Sequence, residues 1–175
     1  DVYYLHRDDE TTPLAEAIRT AGDLIRDGKV LYLGLSNFRG WRVAEAVGLC
    51  RDLGVPQPIV VQPYYNAMNR QPEVELLPAC DHFGIGVVPY SPLARGILTG
   101  KYRAGEAPPA DSRVGVGDAR VLETEWRPES LQRVERIRAR AEERGMTTGQ
   151  WALNWLLRNE IISAVLAGPR TREQL

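Results

Sequence analysis

His6 closes the alternating run "DVYYLHRDDETTP", where an imidazole offers a hydrogen bond or a proton near neutral pH. Related groups recur downstream: Ser36 and Asn37 in "GLSNF", Gln62 in "VVQPYYN", Tyr90 and Ser91 in "VPYSPLARGILTGKY", and Gly168 to Thr171 in "AGPRTREQL". A hydroxyl and two carboxamides can bond an amide, and a phenol ring can stack, so the set suits a flat heterocycle bearing a carboxamide. Near the end of the chain, Gly168 permits close backbone approach. Arg170 and Arg172 flank a helix start capped by Thr171 and Gln174, a setting that can take a phosphate. Each residue alone has a plainer reading: His6 as a turn residue, Ser-Asn as a helix cap, Gln62 as a loop anchor, Tyr90 as a core ring, the arginines as surface. The nucleotide reading rests on the set.

Other chemistries find little support. Neither GxGxxG after a strand nor GxxxxGK[ST] occurs; "GVGDAR" lacks the third glycine and follows no strand. His82 falls within a helix far from His6 and no carboxylate cluster accompanies either, so no metal site is expected. Cys50 and Cys80 are the only cysteines, both in helical patterns without CxxC spacing; they read as buried free thiols, which suits a reducing cytoplasm. A net charge of −1 gives no electrostatic case for nucleic acid. Arg133, Arg136, Arg138 and Arg140 alternate with glutamates and read as a solvated helix face. No apolar run approaches the roughly 20 residues of a membrane span.

The elements that must position these groups follow a strand–helix rhythm. Strands are expected at 2–6, "VLYLGLS", "IVVQ" and "IGVVPY", starting near positions 2, 30, 59 and 85, with a fifth at "IISAVLAG". Helices fill the gaps: one N-capped by Thr12 with Pro13 in its first turn, one over "WRVAEAVGLCRDLG", one beginning late near Pro78. After a long Gly/Pro-rich stretch from Ser91 to about Arg127 come a helix with Leu131, Val134, Ile137 and Ala141 inward and another opened by a Thr147/Gln150 capping box. Repeated β/α units imply a parallel sheet, either doubly wound or part of a (β/α)8 barrel. At 175 residues, five strands are too few for a whole barrel of about 250 residues.

Taken in order, "YYLHRDD", "GKVLYLGLSNF", "QPYYN", "PYSPLARGILTGKY" and "GPRTREQL" resemble the C-terminal half of the aldo-keto reductases, and the resemblance covers essentially all of residues 1–175. It implies an α/β fold, a partial (β/α)8 TIM barrel of about five parallel strands, lacking the family's N-terminal strands and last helix. It implies NADP(H) as cofactor, a small carbonyl substrate, a cytoplasmic enzyme reducing an aldehyde or ketone by hydride transfer, and neither a membrane nor a nucleic-acid partner. By position, His6 resembles the active-site histidine that orients the carbonyl. Ser36, Asn37 and Gln62 resemble the carboxamide-binding set, Tyr90 the ring stacked on nicotinamide, Ser91 and Leu93 the diphosphate loop, and Gly168, Arg170, Thr171 and Gln174 the 2′-phosphate end. The family's acid tyrosine, with its lysine and aspartate, is expected before His6. Asp8 stands where the family often has proline. Catalytically silent nucleotide-binding accessory subunits share this fold and form the alternative. An isolated fragment of this kind is expected to be unstable or inactive.

Overall fold

The computed structural model describes residues 1–169 and 172, which divide into two compact units. The first holds residues 1–64, 70–90 and 160–164. Its centre is a four-stranded parallel sheet in the order β1 (Val2–Leu5), β2 (Tyr32–Ser36), β3 (Val60–Gln62), β4 (Gly86–Val87). Every strand lies beside its predecessor and runs the same way, with no reversal of strand order. That progression is the one a barrel wall requires, whereas a doubly wound sheet turns back at a switch point.

Strand alternation gives the sheet two faces. Leu33, Leu35, Val61 and Val87 are all at most 1% exposed and form one of them. Their core is completed by the buried stripes of α1 (Leu14–Arg26), α2 (Gly40–Leu53) and α3 (Leu76–Phe83): Leu14, Ile18 and Ala21, then Val43, Ala46 and Cys50, then Leu76, Leu77 and Cys80. The opposite face carries Tyr4, Gly34, Ser36, Val60, Gln62 and Gly86. Gly34 lies opposite Tyr4 in register, and a methyl group there would come within 2.7 Å of the Tyr4 ring. Gly28, Gly54 and Gly84 follow the three helices at φ of 69°, 65° and 66°, so each chain reversal uses a conformation that side chains resist.

The second unit contains, of the described residues, 65–69, 91–159, 165–169 and 172. Its core joins Ile97, Leu98 and Tyr102 to Val121 of α4 (Ala119–Thr124), Leu131 and Val134 of α5 (Pro128–Glu142), and Ala152 of α6 (Thr148–Leu157). Thr147 and Gln150 form the expected capping box, each side chain bonding the other's backbone N–H, at 3.1 and 2.9 Å. "GVGDAR" proves to be the start of α4, with Asp118 as its cap, accepting from Arg120 N–H at 3.0 Å and Val121 N–H at 3.4 Å.

Four expectations change. Helix α1 begins at Leu14 after Pro13; the Thr12 hydroxyl instead donates to Asp9 at 2.6 Å, drawn off by a closer carboxylate. The long stretch from Ser91 to Arg127 contains α4 and a 3₁₀ segment, Ala94–Thr99. Arg138 is buried rather than solvated, at 7% exposure. The fifth strand is reduced to a bridge: Val87 N–H donates to Ile161 O and Ser163 N–H to Val87 O, and among the described residues no strand forms over 163–169. The apolar run "AVLA" has the composition of a strand, but ladder bonds require a neighbour, and beyond Ser163 it has none here.

Candidate functional site

In the first unit the strand ends bring four of the singled-out residues together. Ser36 ends β2 fully buried, donates its hydroxyl proton to Gln62 O at 2.9 Å and accepts from Asn37 Nδ2 at 3.0 Å. Asn37 follows in the left-handed region, φ 58°, a conformation its short amide tolerates better than most side chains. From there Nδ2 also donates to His6 O at 2.9 Å, and Oδ1 accepts from the Tyr90 hydroxyl at 2.8 Å. The Ser-Asn pair is therefore not a helix cap, since α2 starts four residues beyond Ser36 with Arg39 in the cap position.

This network uses both protons of the Asn37 amide and holds the strand ends of β1, β2 and the β4 extension in one arrangement. The Gln62 carboxamide is half-buried and makes no side-chain hydrogen bond among the described residues, so its donor and acceptor are both available. The Tyr90 ring is half-buried, with Tyr64 tilted against it at 5.4 Å and 31°. His6 is exposed just past β1. Arg42 of α2 reaches the loop after His6, donating to Asp8 at 3.0 Å and to Glu45 at 2.5 Å. The Glu45 bond and the Asp8 carboxylate hold the guanidinium above its ordinary pKa. Asp9, bonded by the Thr12 and Thr11 hydroxyls, is held down at about 2.

The second unit contains Ser91 and Leu93, at the head of a strained segment. Ser91, Ala94 and Arg95 have φ of 53°, 46° and 54°, and Gly96 has 102°. Leu93 O accepts from the N–H groups of Gly96 and Leu98, and its side chain packs on the unit's core. Lys101, which no motif in the sequence singles out, has its ammonium 3.7 Å from where a Gly96 side chain would stand. The signal available was a lysine directly after the glycine that ends this segment. Gly168 lies in the second unit, exposed and with nothing near its missing side chain. Arg170, Thr171 and Gln174 fall outside the described residues; Arg172 is exposed. Among the described residues no group of histidine, cysteine and carboxylate side chains could hold a metal ion, and no helix is long and apolar enough to cross a membrane.

Comparison with known proteins agrees with this architecture. The chain is 37% identical over 177 residues to a probable voltage-gated potassium channel subunit beta of Arabidopsis thaliana, covering all of this chain and 54% of that protein. It is 35% identical over 182 residues to L-glyceraldehyde 3-phosphate reductase of Escherichia coli, covering all of this chain and 51% of the relative. Aflatoxin B1 aldehyde reductase member 2 of Mus musculus is 48% identical over 103 residues, 59% of this chain and 28% of that protein. The chain thus spans about half the length of the relatives that it matches from end to end. A family model described as the aldo/keto reductase family matches residues 1–175, and the chain belongs to that family.

Proposed function

We propose that the protein carrying this chain reduces an aldehyde or ketone to an alcohol with NADPH. The observation that carries the reading is the network joining His6, Ser36, Asn37 and Tyr90, which fixes the strand ends while leaving the Gln62 carboxamide available. A bound NADPH would supply the hydride. In the first unit, Gln62 offers a donor and an acceptor to the nicotinamide carboxamide, Tyr90 a ring to stack upon, and Asn37 a remaining lone pair on Oδ1. Ser36, buried and with its only proton given to Gln62 O, supports Asn37 rather than presenting its hydroxyl outward. In the second unit, the Ser91–Gly96 backbone and the Lys101 ammonium suit phosphate groups, for which backbone N–H groups in unusual conformations and a cation are the usual partners. Gly168, Arg170, Thr171 and Gln174 are assigned to the 2′-phosphate, on sequence alone.

His6 donates a hydrogen bond to the substrate carbonyl and places it for attack; the pinned backbone at His6 O sets where the imidazole starts from. Proton delivery belongs, in this reading, to the family's tyrosine upstream of His6, its pKa lowered by a nearby lysine.

The second reading is a nucleotide-binding accessory subunit, favoured by the channel-beta relative that matches the whole chain. The discriminating experiment mixes the full-length protein with NADPH and a panel of short aldehydes and ketones. Loss of NADPH absorbance at multiple turnovers is expected. Tight NADPH binding without turnover on any substrate would favour the accessory role, and no binding at all would remove both.

A further inference from the structure

The Ser91–Tyr102 segment holds three non-glycine residues at positive φ, together with Gly96 and Gly100 at 102° and 83°. Backbone of this kind persists only where the surroundings over-determine it. Within the segment, Ala94 N–H donates to Ser91 O, Gly96 and Leu98 N–H to Leu93 O, the Thr99 hydroxyl to Gly96 O, and Lys101 N–H to the Thr99 hydroxyl at 3.5 Å. Two buried polar side chains from elsewhere in the second unit hold its ends.

At the start, Asn66, fully buried, donates from Nδ2 to Ser91 O at 3.0 Å. The amide is itself fixed, because Oδ1 accepts from the N–H groups of Met68 and Asn69 at 2.9 Å each. At the far end, Arg138 reaches from α5 and donates through Nη2 to Gly100 O at 2.7 Å and Tyr102 O at 3.4 Å. Glu135, one helical turn earlier, accepts from Nη1 at 2.7 Å and balances the buried charge. Gly100 has no room for a side chain there, since a methyl group would come within 2.7 Å of the Thr148 hydroxyl.

We propose that Asn66 and Arg138 are positioning residues, a two-ended clamp that keeps the Ser91–Tyr102 segment in its strained, phosphate-receiving form before any ligand arrives. The role assigned to phosphate rests on the proposed function; the clamp does not. The chemistry of the two side chains fits the task. Both meet the segment with donors and both engage carbonyl oxygens. Each carbonyl held by the clamp is kept from facing an anion, and the Lys101 ammonium beside Gly96 can meet it. Arginine suits the far end because a single guanidinium can satisfy two carbonyls and a carboxylate at fixed angles, which an ammonium cannot reproduce.

The test uses the full-length protein with Arg138→Met, Arg138→Lys and Asn66→Ser. Hydrogen exchange without ligand is read over peptides spanning 93–100 and, as controls, over α5 and α6. Faster exchange confined to 93–100 is expected in Arg138→Met and Asn66→Ser, with Arg138→Lys between wild type and Arg138→Met. If loss of the clamp leaves only a tenth of molecules in the receiving form, the NADPH dissociation constant rises about ten-fold while turnover at saturating NADPH stays within about two-fold. Unchanged exchange over 93–100 in the folded variants overturns the clamp, and so does a loss of protection spread equally over α5 and α6. Should Arg138→Met fail to fold, Asn66→Ser reads the same segment from its other end with a smaller change. If the variants show the exchange pattern but the wild-type protein binds no NADPH, the cofactor reading falls and the clamp stands.

Discussion

At the scale of single residues, the candidate site divides between groups that face outward and groups that hold them. Asn37 spends its two amide protons on His6 O and Ser36 Oγ, so the outward chemistry falls to His6, Gln62 and Tyr90. On the proposed role of His6 as a donor to the substrate carbonyl, its replacement by alanine should lower turnover by about a hundred-fold while leaving the NADPH dissociation constant near its wild-type value. Single-turnover stopped-flow reduction at saturating NADPH measures this, and an unchanged rate would take His6 out of the mechanism. The two cysteines give a second prediction. Burial pushes Cys50 up to about 11 and Cys80 up to about 12. Both thiols therefore stay protonated in the folded protein at pH 8, and alkylation by iodoacetamide should require denaturant. The sign for stability follows: the neutral thiols cost nothing below their ordinary value of 9.0, and stability falls as pH climbs from there through about 11 and 12, where the folded thiols ionise. Ser36, Asn37, Gln62 and Tyr90 were legible in the sequence because a regular β/α repeat carries polar residues at successive strand ends to neighbouring places. Arg138 was not. Its Arg/Glu surroundings have the pattern of a solvated face, and only the carbonyls of residues 36 and 38 positions earlier reveal why it is buried.

At the scale of elements, the first three β/α units follow the sequence pattern closely, since strand alternation, helix stripe and terminal glycine all point to the same structure in each. The pattern loses hold after β4. Helix α4 is six residues long, too short for an apolar period to show, and its cap Asp118 sits in a fragment that resembles a glycine-rich turn. The fifth strand fails for the opposite reason: its composition is right, but pairing is a tertiary property. One sheet position is a sharp test of the observed register. Gly34 lies against the Tyr4 ring, 2.7 Å from where a methyl group would be. Gly34→Ala must displace that ring and should cost about 1–3 kcal/mol in denaturant unfolding. In a Tyr4→Ala background most of that cost should vanish, because the contact is pairwise; an equal cost in both backgrounds would contradict the register of β1 on β2.

At the scale of the whole molecule, the order β1-β2-β3-β4 leaves β1 bonded to a single strand. Along the strand entries, Val2, Tyr3, Leu31, Tyr32 and Ile59 are 37%, 48%, 55%, 48% and 43% exposed, and Val2 pairs with Tyr32 in register. An edge with free backbone groups beside exposed apolar side chains is a template for another strand. Residues 1–175 produced alone should therefore associate as concentration rises and bind a hydrophobic dye. Charge placed on the edge ought to oppose this: Tyr3→Lys is expected to raise the concentration at which light scattering departs from the monomer value, whereas Leu157→Lys, exposed at the end of α6 and in no strand, should leave it unchanged. A wild-type 1–175 that stays monomeric at high concentration, melts cooperatively and takes up NADPH in stoichiometric amounts would show that the four-stranded sheet is sufficient by itself, and the edge would then carry no such liability.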